Sequence, residues 1–338
     1  MKRVLSGMRP TGRLHLGHLL GALSNWKKLQ EEYACLYMVA DWHALTSEYK
    51  DTSRLKENIF EVVIDWLSAG IDPQRCVIFR QSDILEQAEL HLLLSCITPL
   101  GWLERNPTHK EQLRELGEEK LSTYGFLGYP VLQAADILIY KGQVVPIGED
   151  QLPHLELTRE ITRRFNHLYG KIFPEPRAIL TKVPRLPGLD GRKMSKSYGN
   201  CIYLSDSQQE VAKKVMNMFT DPDKIRKDDP GHPEGHPGEE EKGKCVVFAF
   251  HKAFNQPCLE AIREECEKGS RGCVLCKKEL IDILEQVLSP IREKRATLEA
   301  HPEEVAKLLA KGKEEAGKIA KKTMEEVRRA MSRYLNMG

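Results

Sequence analysis

Two short stretches hold most of the reactive side chains of this 338-residue chain. The first, RVLSGMRPTGRLHLGHLL from Arg3 onward, reads as a strand, a Pro/Gly turn and a helix whose first turn contains His15, Gly17 and His18. A helix start offers unpaired backbone N–H groups and a partial positive charge, which suits an anion. Gly17 lets a phosphate or a flat ring approach the backbone closely, and the two imidazoles can donate to phosphate oxygens. The second stretch, DGRKMSKSYGN (190–200), crowds Lys193, Ser195, Lys196 and Ser197 into a Gly-flanked loop. Their ammonium and hydroxyl groups are mobile donors, able to follow charge that builds on a departing pyrophosphate.

A third group is built from thiols. CEKGSRGCVLC (266–276) spaces Cys266, Cys273 and Cys276 as C-x6-C-x2-C, and Cys245 upstream extends this to C-x20-C-x6-C-x2-C. Two cysteines at C-x2-C in a polar SRGCVLCKK loop form a ligand arrangement. On spacing alone Cys258, His236 and His251 compete with Cys245 as the fourth ligand, and zinc and a [4Fe–4S] cluster suit four thiolates equally. Cys35, Cys76, Cys96 and Cys201 each lie in or beside an apolar run and read as buried free thiols.

The elements that must position these groups divide the chain in two. RVLSGM (3–8), ACLYMVAD (34–41), CVIFRQSD (76–83) and VVPIG (144–148) read as buried strands, with helical stretches such as 16–32 and 52–69 between them. Strands separated by helices of this length predict parallel βαβ units in a Rossmann-like, doubly wound α/β sheet. After about residue 205, helical periodicity takes over in 206–219, 258–268, 277–297 and 302–336. The expected domains are therefore 1–205, catalytic, and 206–338, all-helical. DDPGHPEGHPGEEEKGK (228–244) reads as a loop by composition.

Composition narrows the classes. With 51 Lys+Arg against 49 Asp+Glu the net charge is +2, so no global basic field announces nucleic acid and any RNA footprint is local. The N-terminus lacks the apolar core of a signal peptide, and no apolar run is long enough to span a membrane. The expected location is cytoplasmic, where nine cysteines argue for metal sites or free thiols rather than disulfides.

An H-x-G-H after the first strand together with K-M-S-K-S after the last strand resembles the paired motifs of class I aminoacyl-tRNA synthetases. Within that frame YPVLQAADILIY (129–140) is informative, because Tyr129, Gln133 and Asp136 share one helix face. A carboxylate in an apolar pocket needs a donor, and an indole has a single N–H donor and no acceptor. Asp136 is therefore suited to reading tryptophan and penalising phenylalanine. SGMRPTG (6–12), VADWHALT (39–46), YPVLQAADIL and IGEDQLPHLELTRE (147–160) together resemble bacterial-type tryptophanyl-tRNA synthetases over the whole chain.

That resemblance implies activation of L-tryptophan with ATP and Mg2+ and its transfer to tRNA(Trp). It implies an ATP site lined by Arg9, Pro10, Thr11, Gly17, His18, Gly148, Glu149, Asp150 and Leu186, with Lys193, Met194, Ser195, Lys196 and Ser197 on the phosphates. His15, His18, Lys193 and Lys196 would carry catalysis. Asp136 would read the indole, with Tyr129, Gln133, His43 and Gln151 on the rest of the amino acid. It also implies a homodimer. Some similar synthetases carry a [4Fe–4S] cluster on a cysteine pattern with the same last two gaps and a first ligand shortly before an aromatic and basic segment; CVVFAFHKAF (245–254) fits that segment, so the resemblance selects Cys245, Cys266, Cys273 and Cys276, with Zn2+ as the alternative. The tyrosyl enzyme is the neighbouring reading, and a non-catalytic RNA-binding or redox-sensing protein on the same fold is the one from another class.

Overall fold

The computed structural model describes residues 1–107, 123–180, 186–236 and 244–332. Its strands are β1 (Arg3–Met8), β2 (Ala34–Val39), β3 (Cys76–Arg80), β4 (Val144–Ile147) and β5 (Arg177–Leu180). They form one all-parallel sheet in the order β3-β2-β1-β4-β5. β2 and β4 are almost wholly buried, which is why they read as unbroken apolar runs rather than alternating ones. Strand order reverses between β1 and β4, and open α/β sheets bind ligands beyond the carboxyl ends of the strands at such a point.

The helices in chain order are α1 (Leu16–His18), α2 (Ser24–Glu32), α3 (Asp41–Glu48), α4 (Leu55–Ser68), α5 (Leu85–Ile97), α6 (Leu100–Glu104) and α7 (Tyr124–Ile139). They continue with α8 (Leu152–Tyr169), α9 (Gln208–Met216), α10 (Val246–Phe254), α11 (Leu259–Glu267), α12 (Cys273–Ala300) and α13 (Pro302–Ser332). No described helix is long and apolar enough to cross a membrane.

Three elements differ from expectation. The helix expected over 16–32 is interrupted by a π-helical segment, Leu19–Leu23, between α1 and α2. β5 was not expected, because RAIL is short, lies at the sheet edge and leaves Arg177 and Leu180 exposed. Cys273 and Cys276 lie on the first turn of α12 rather than in a loop, and this puts them on one helix face.

The chain forms two compact units. One comprises Met1–Gly12, Ser24–Lys182 and Leu298–Gly338; the other comprises Arg13–Leu23 and Val183–Thr297. The sheet unit has a core of Leu36, Met38, Phe79, Leu90, Leu138, Phe165 and their neighbours, to which α13 adds Ala316, Ala320, Met324 and Val327. The second unit buries Leu14, Leu16, Ile202, Leu204, Phe250, Leu280, Leu284 and Leu288. Within it the backbones of Leu14 and Leu16 bond to those of Leu204 and Ile202 at 2.9 and 3.0 Å.

α13 lies against the edge strand β3 so closely that a Cβ on Gly312 would stand 1.8 Å from the Ile78 carbonyl oxygen and 3.2 Å from Phe79 Cβ. Helix propensity alone would make Gly312→Ala stabilising by about 1 kcal/mol. The backbone contact reverses the sign, and we expect a loss of about 1–3 kcal/mol. Urea unfolding measures it, and a raised midpoint would show that the helix does not sit on β3.

Candidate active site

The sheet's reversal point exposes two loops. Arg9, Pro10 and Thr11 follow β1; the Arg9 guanidinium donates to Ser47 Oγ at 3.3 Å, and Pro10 is buried. Gly148 follows β4 and leads into a 3-10 turn, Glu149–Gln151, in which Gln151 Nε2 donates to Asp150 Oδ2 at 2.8 Å. A Cβ at position 148 would meet Asp150 Oδ1 at 2.5 Å, so the turn is tight around the glycine.

Beneath this end of the sheet, Asp136 on α7 is 2% exposed. Its carboxylate accepts from Gln81 Nε2 at 3.0 and 2.9 Å and from Gln87 Nε2 at 2.7 Å, while Oδ2 lies 2.8 Å from His43 Nε2. Gln81 is itself oriented, because its Oε1 accepts from the backbone N–H groups of Trp42 and His43 at 3.1 and 3.3 Å. The His43 ring stands edge-on to Tyr129 with centroids 6.5 Å apart, and the Tyr129 hydroxyl lies 2.8 Å from His154 Nε2. The fold thus gathers His43, Tyr129 and Asp136. Gln133 is half-buried on the same helix, and Gln151 stays in the turn after β4.

Around Asp136, burial dominates the titration of its neighbours. The Tyr140 phenol is pushed far up, first by burial and then by the Asp136 charge. His91 is pushed down by burial, which outweighs the opposing pull of Asp136. Gln87 Oε1, His91 Nδ1 and Tyr140 OH are buried with no hydrogen-bond partner among the described residues. Buried polar atoms in that state are costly and rare.

In the second unit His15 caps α1. The Gly17 N–H donates to His15 Nδ1 at 3.1 Å, and the His15 N–H donates to His18 Nδ1 at 3.3 Å. Both Nδ1 atoms therefore act as acceptors, and each neutral ring carries its proton on Nε2. A Cβ at position 17 would touch the His15 ring at 2.9 Å. Glycine is needed there for the histidine as well as for any ligand.

Burial first, and the Lys196 charge second, holds His15 down to about 4. His18 is held down to about 3 by burial, then by His15 and Lys196. Both rings are neutral donors at pH 7. An unfolded chain takes up protons near pH 6.5 that the folded one refuses, so this stability is complete above about pH 6.5 and is lost as the pH falls toward the folded values. Between pH ~7.5 and ~5 the chain should lose about 2–4 kcal/mol more than a His15→Gln/His18→Gln variant. Equal acid sensitivity of the two proteins in urea unfolding would contradict this.

The lysine loop is held by Asn200. This buried residue donates through Nδ2 to Asp190 Oδ1 at 2.8 Å and to the Lys193 carbonyl at 3.2 Å, and its Oδ1 accepts from the Ser195 N–H at 2.9 Å. Gly188 packs under it, where a Cβ would lie 2.1 Å from Asn200 Nδ2. Lys196 and Ser197 start a 3-10 turn closed by Gly199 in the left-handed region, with φ 64°. Lys193 and Ser197 are exposed, Ser195 and Lys196 half-buried, and Met194 and Leu186 buried.

Cys245 caps α10, Cys266 lies in α11, and Cys273 and Cys276 open α12. All four line one cavity with an empty volume of about 330 Å³, partly open to solvent, together with Thr220, Pro233, Phe248, Ile262 and Arg271. Cys258 is exposed and absent from that lining; His251 is turned to the Cys276 carbonyl at 3.1 Å. Burial raises the Cys245 thiol to about 11 and also raises Cys266 and Cys276. The Arg271 guanidinium opposes the rise at Cys276, and Lys224 opposes it at Cys266.

A family model described as tRNA synthetases class I (W and Y) matches residues 1–289. The chain belongs to this family. Among similar proteins, a tryptophan–tRNA ligase of Thermotoga maritima is 54% identical over 98% of this chain and 99% of its own. One from Aquifex aeolicus is 48% identical with the same coverage. Among solved structures, tryptophanyl-tRNA synthetase from Campylobacter jejuni complexed with ADP and tryptophan aligns with a TM-score of 0.86 at 33% identity, covering 98% of this chain and 99% of that one.

Three residues of this class I synthetase were not singled out by sequence reading: Gln81, Gln87 and Asn200. Gln81 carried a usable signal, since it directly follows β3 at the carboxyl end of a parallel strand, where ligand-facing groups concentrate. Gln87 acts through a contact distant in sequence, and Asn200 through bonds to Asp190, Lys193 and Ser195 within its own loop. Nothing in their local pattern separates them from surface amides.

Proposed function

We infer that the chain activates L-tryptophan with Mg·ATP, giving tryptophanyl-adenylate and pyrophosphate, and transfers the amino acid to the 3′ end of tRNA(Trp). Full-length similarity to tryptophan–tRNA ligases supports the reaction. The observation that carries the choice of amino acid is the Asp136 carboxylate, buried and aimed by Gln81, Gln87 and His43. Three donors leave a carboxylate near its capacity of about four acceptor positions. The indole N–H would take the remaining one or displace His43, whose side chain is the more exposed of that pair at 12% against 3%.

In the first step a carboxylate oxygen of tryptophan bonds to the α-phosphorus as the bond from the α-phosphorus to the bridging oxygen breaks, and the electron pair leaves with pyrophosphate. The attacking group is already ionised, so no side-chain nucleophile or base is needed. Catalysis is positioning and electrostatic stabilisation. His15 and His18 would donate through Nε2–H as neutral groups, and Lys193 and Lys196 would supply the positive charge. Arg9, Pro10, Thr11, Gly17, Gly148, Glu149, Asp150, Leu186, Met194, Ser195 and Ser197 complete the proposed nucleotide site. Tyr129, Gln133 and Gln151 complete the amino-acid site. In the second step the ribose hydroxyl of the terminal adenosine attacks the acyl carbon and AMP leaves.

ATP–pyrophosphate exchange with each amino acid tests this reading. We expect exchange with tryptophan; exchange with tyrosine alone overturns it. Functionally, 1–205 is assigned to catalysis and 206–338 to the tRNA. A homodimer is part of the same reading, and sedimentation equilibrium measures it.

The four-thiol cavity supports a [4Fe–4S] cluster held by Cys245, Cys266, Cys273 and Cys276. The donor set fits, and Gly231 leaves open a space where a Cβ would stand 2.7 Å from Cys266 Sγ. Four thiolates suit either group, and metal analysis decides between them. Such a cluster would supply a cross-link among α10, α11 and α12. Iron and sulfide analysis after anaerobic purification tests the assignment, and a colourless zinc-loaded protein overturns it.

A further inference from the structure

Beside the thiol cavity, the segment 221–236 brings two imidazoles and two carboxylates together. Asp221 is 4% exposed, and its Oδ1 accepts from the Asp223 N–H at 3.0 Å while Oδ2 accepts from the His232 N–H at 2.6 Å. The His232 and His236 rings lie 3.9 Å apart between centroids. One ligand atom from each of Asp221, His232 and His236 falls within 4.8 Å of the other two. Among the described residues, this is the one group of three or more such side chains that does so.

We propose that Asp221, His232 and His236 form a binding site for a divalent transition metal of the zinc type, oriented by Asp223. His232 Nδ1 and Asp221 Oδ2 are 3.3 Å apart. That is long for a hydrogen bond, and it matches the edge of a tetrahedron whose metal–ligand bonds are about 2.0–2.1 Å, roughly 3.3 Å. His236 Nε2 meets Asp223 Oδ2 at 2.5 Å, so the ring would offer Nδ1 to the ion. A carboxylate on the far nitrogen of a ligating histidine is the usual second partner in such sites; it fixes the ring and raises its basicity. Two imidazoles with one carboxylate favour zinc-type ions over magnesium or calcium, which take oxygen ligands. The set contains no thiolate, so it is chemically separate from the cysteine quartet.

The ion would tie the two ends of 221–236 together. Pro233, inside that segment, lines the thiol cavity, and its carbonyl accepts from the Cys245 N–H at 3.2 Å. Metal at this site therefore braces one wall of the cavity without entering it.

Cobalt(II) is the probe, because thiolate ligation produces intense near-ultraviolet charge-transfer absorption and a His/Asp site does not. Full-length protein with the four cysteines occupied by their cluster, dialysed anaerobically against chelator, should take up one further equivalent of Co2+ with weak visible bands and no new thiolate band, displaceable by Zn2+. His232→Asn/His236→Asn should lose that equivalent, and Asp223→Asn should bind roughly 10–100-fold more weakly. Zn2+ should raise the thermal midpoint of the wild-type chain and leave that of the double variant unchanged. If the double variant does not fold, His236→Asn alone, at a side chain 32% exposed, gives the same comparison. Uptake accompanied only by a thiolate band, or an equivalent retained in the histidine variants, overturns the site.

Discussion

Lys196→Ala should slow tryptophan-dependent ATP–pyrophosphate exchange by roughly 10²–10³-fold while changing tryptophan affinity by about twofold at most. The reason lies in the state of the two histidines. His15 and His18 are held down to about 4 and about 3, so neither brings positive charge to a polyphosphate at neutral pH. The charge must come from lysine. Lys196 is the half-buried one of the pair, and its field already reaches both imidazoles. An ammonium away from bulk water stabilises developing negative charge more than an exposed one does. Lys193→Ala, at an exposed position, should therefore cost less. An unchanged exchange rate, or a loss that appears wholly as weaker tryptophan binding, would remove Lys196 from the chemistry.

The second large effect is expected at Asp136. Asp136→Ala should lower kcat/KM for tryptophan by about 10²-fold or more and erode the preference over phenylalanine, because the buried acceptor that distinguishes the two is gone. Stability should fall as well, since Gln81 and Gln87, both 0% exposed, lose the oxygen they donate to. The two consequences separate in one comparison. Gln87→Met removes a supporting donor and leaves the carboxylate in place; it should cost stability while retaining most of the tryptophan-over-phenylalanine ratio. If Asp136→Ala leaves that ratio unchanged at a temperature where the variant is folded, the carboxylate holds the core and does not read the substrate.

Legibility in the sequence followed the range of the forces involved. β2 and β4 were readable because strands buried on both faces are continuous apolar runs, β1 and β3 because short apolar runs alternate with helical stretches, and α13 because a long amphipathic helix keeps its period. β5 escaped notice as four residues at a sheet edge, half in solvent. His15, Gly17, His18 and the 193–197 loop were readable as local motifs whose residue types suit phosphate. Their protonation was not, since it depends on burial and on Lys196, far along the chain.

By itself, then, the sequence determined the strand and helix types, the parallel α/β class, the two phosphate-type motifs and the four-cysteine spacing, because each rests on neighbours within a few turns of chain. Only the tertiary structure decided that Gln81 and Gln87 aim Asp136, that Asn200 pins the lysine loop and that Gly312 must stay small against Ile78. It also decided that Cys245 rather than Cys258 lines the thiol cavity, and that Asp221 meets His232 and His236. Most of those contacts join residues far apart in the chain, and the two local ones, at Asn200 and at Asp221, depend on how the loop folds back on itself. A one-dimensional pattern carries the propensity of each partner and no information on which partner it will meet.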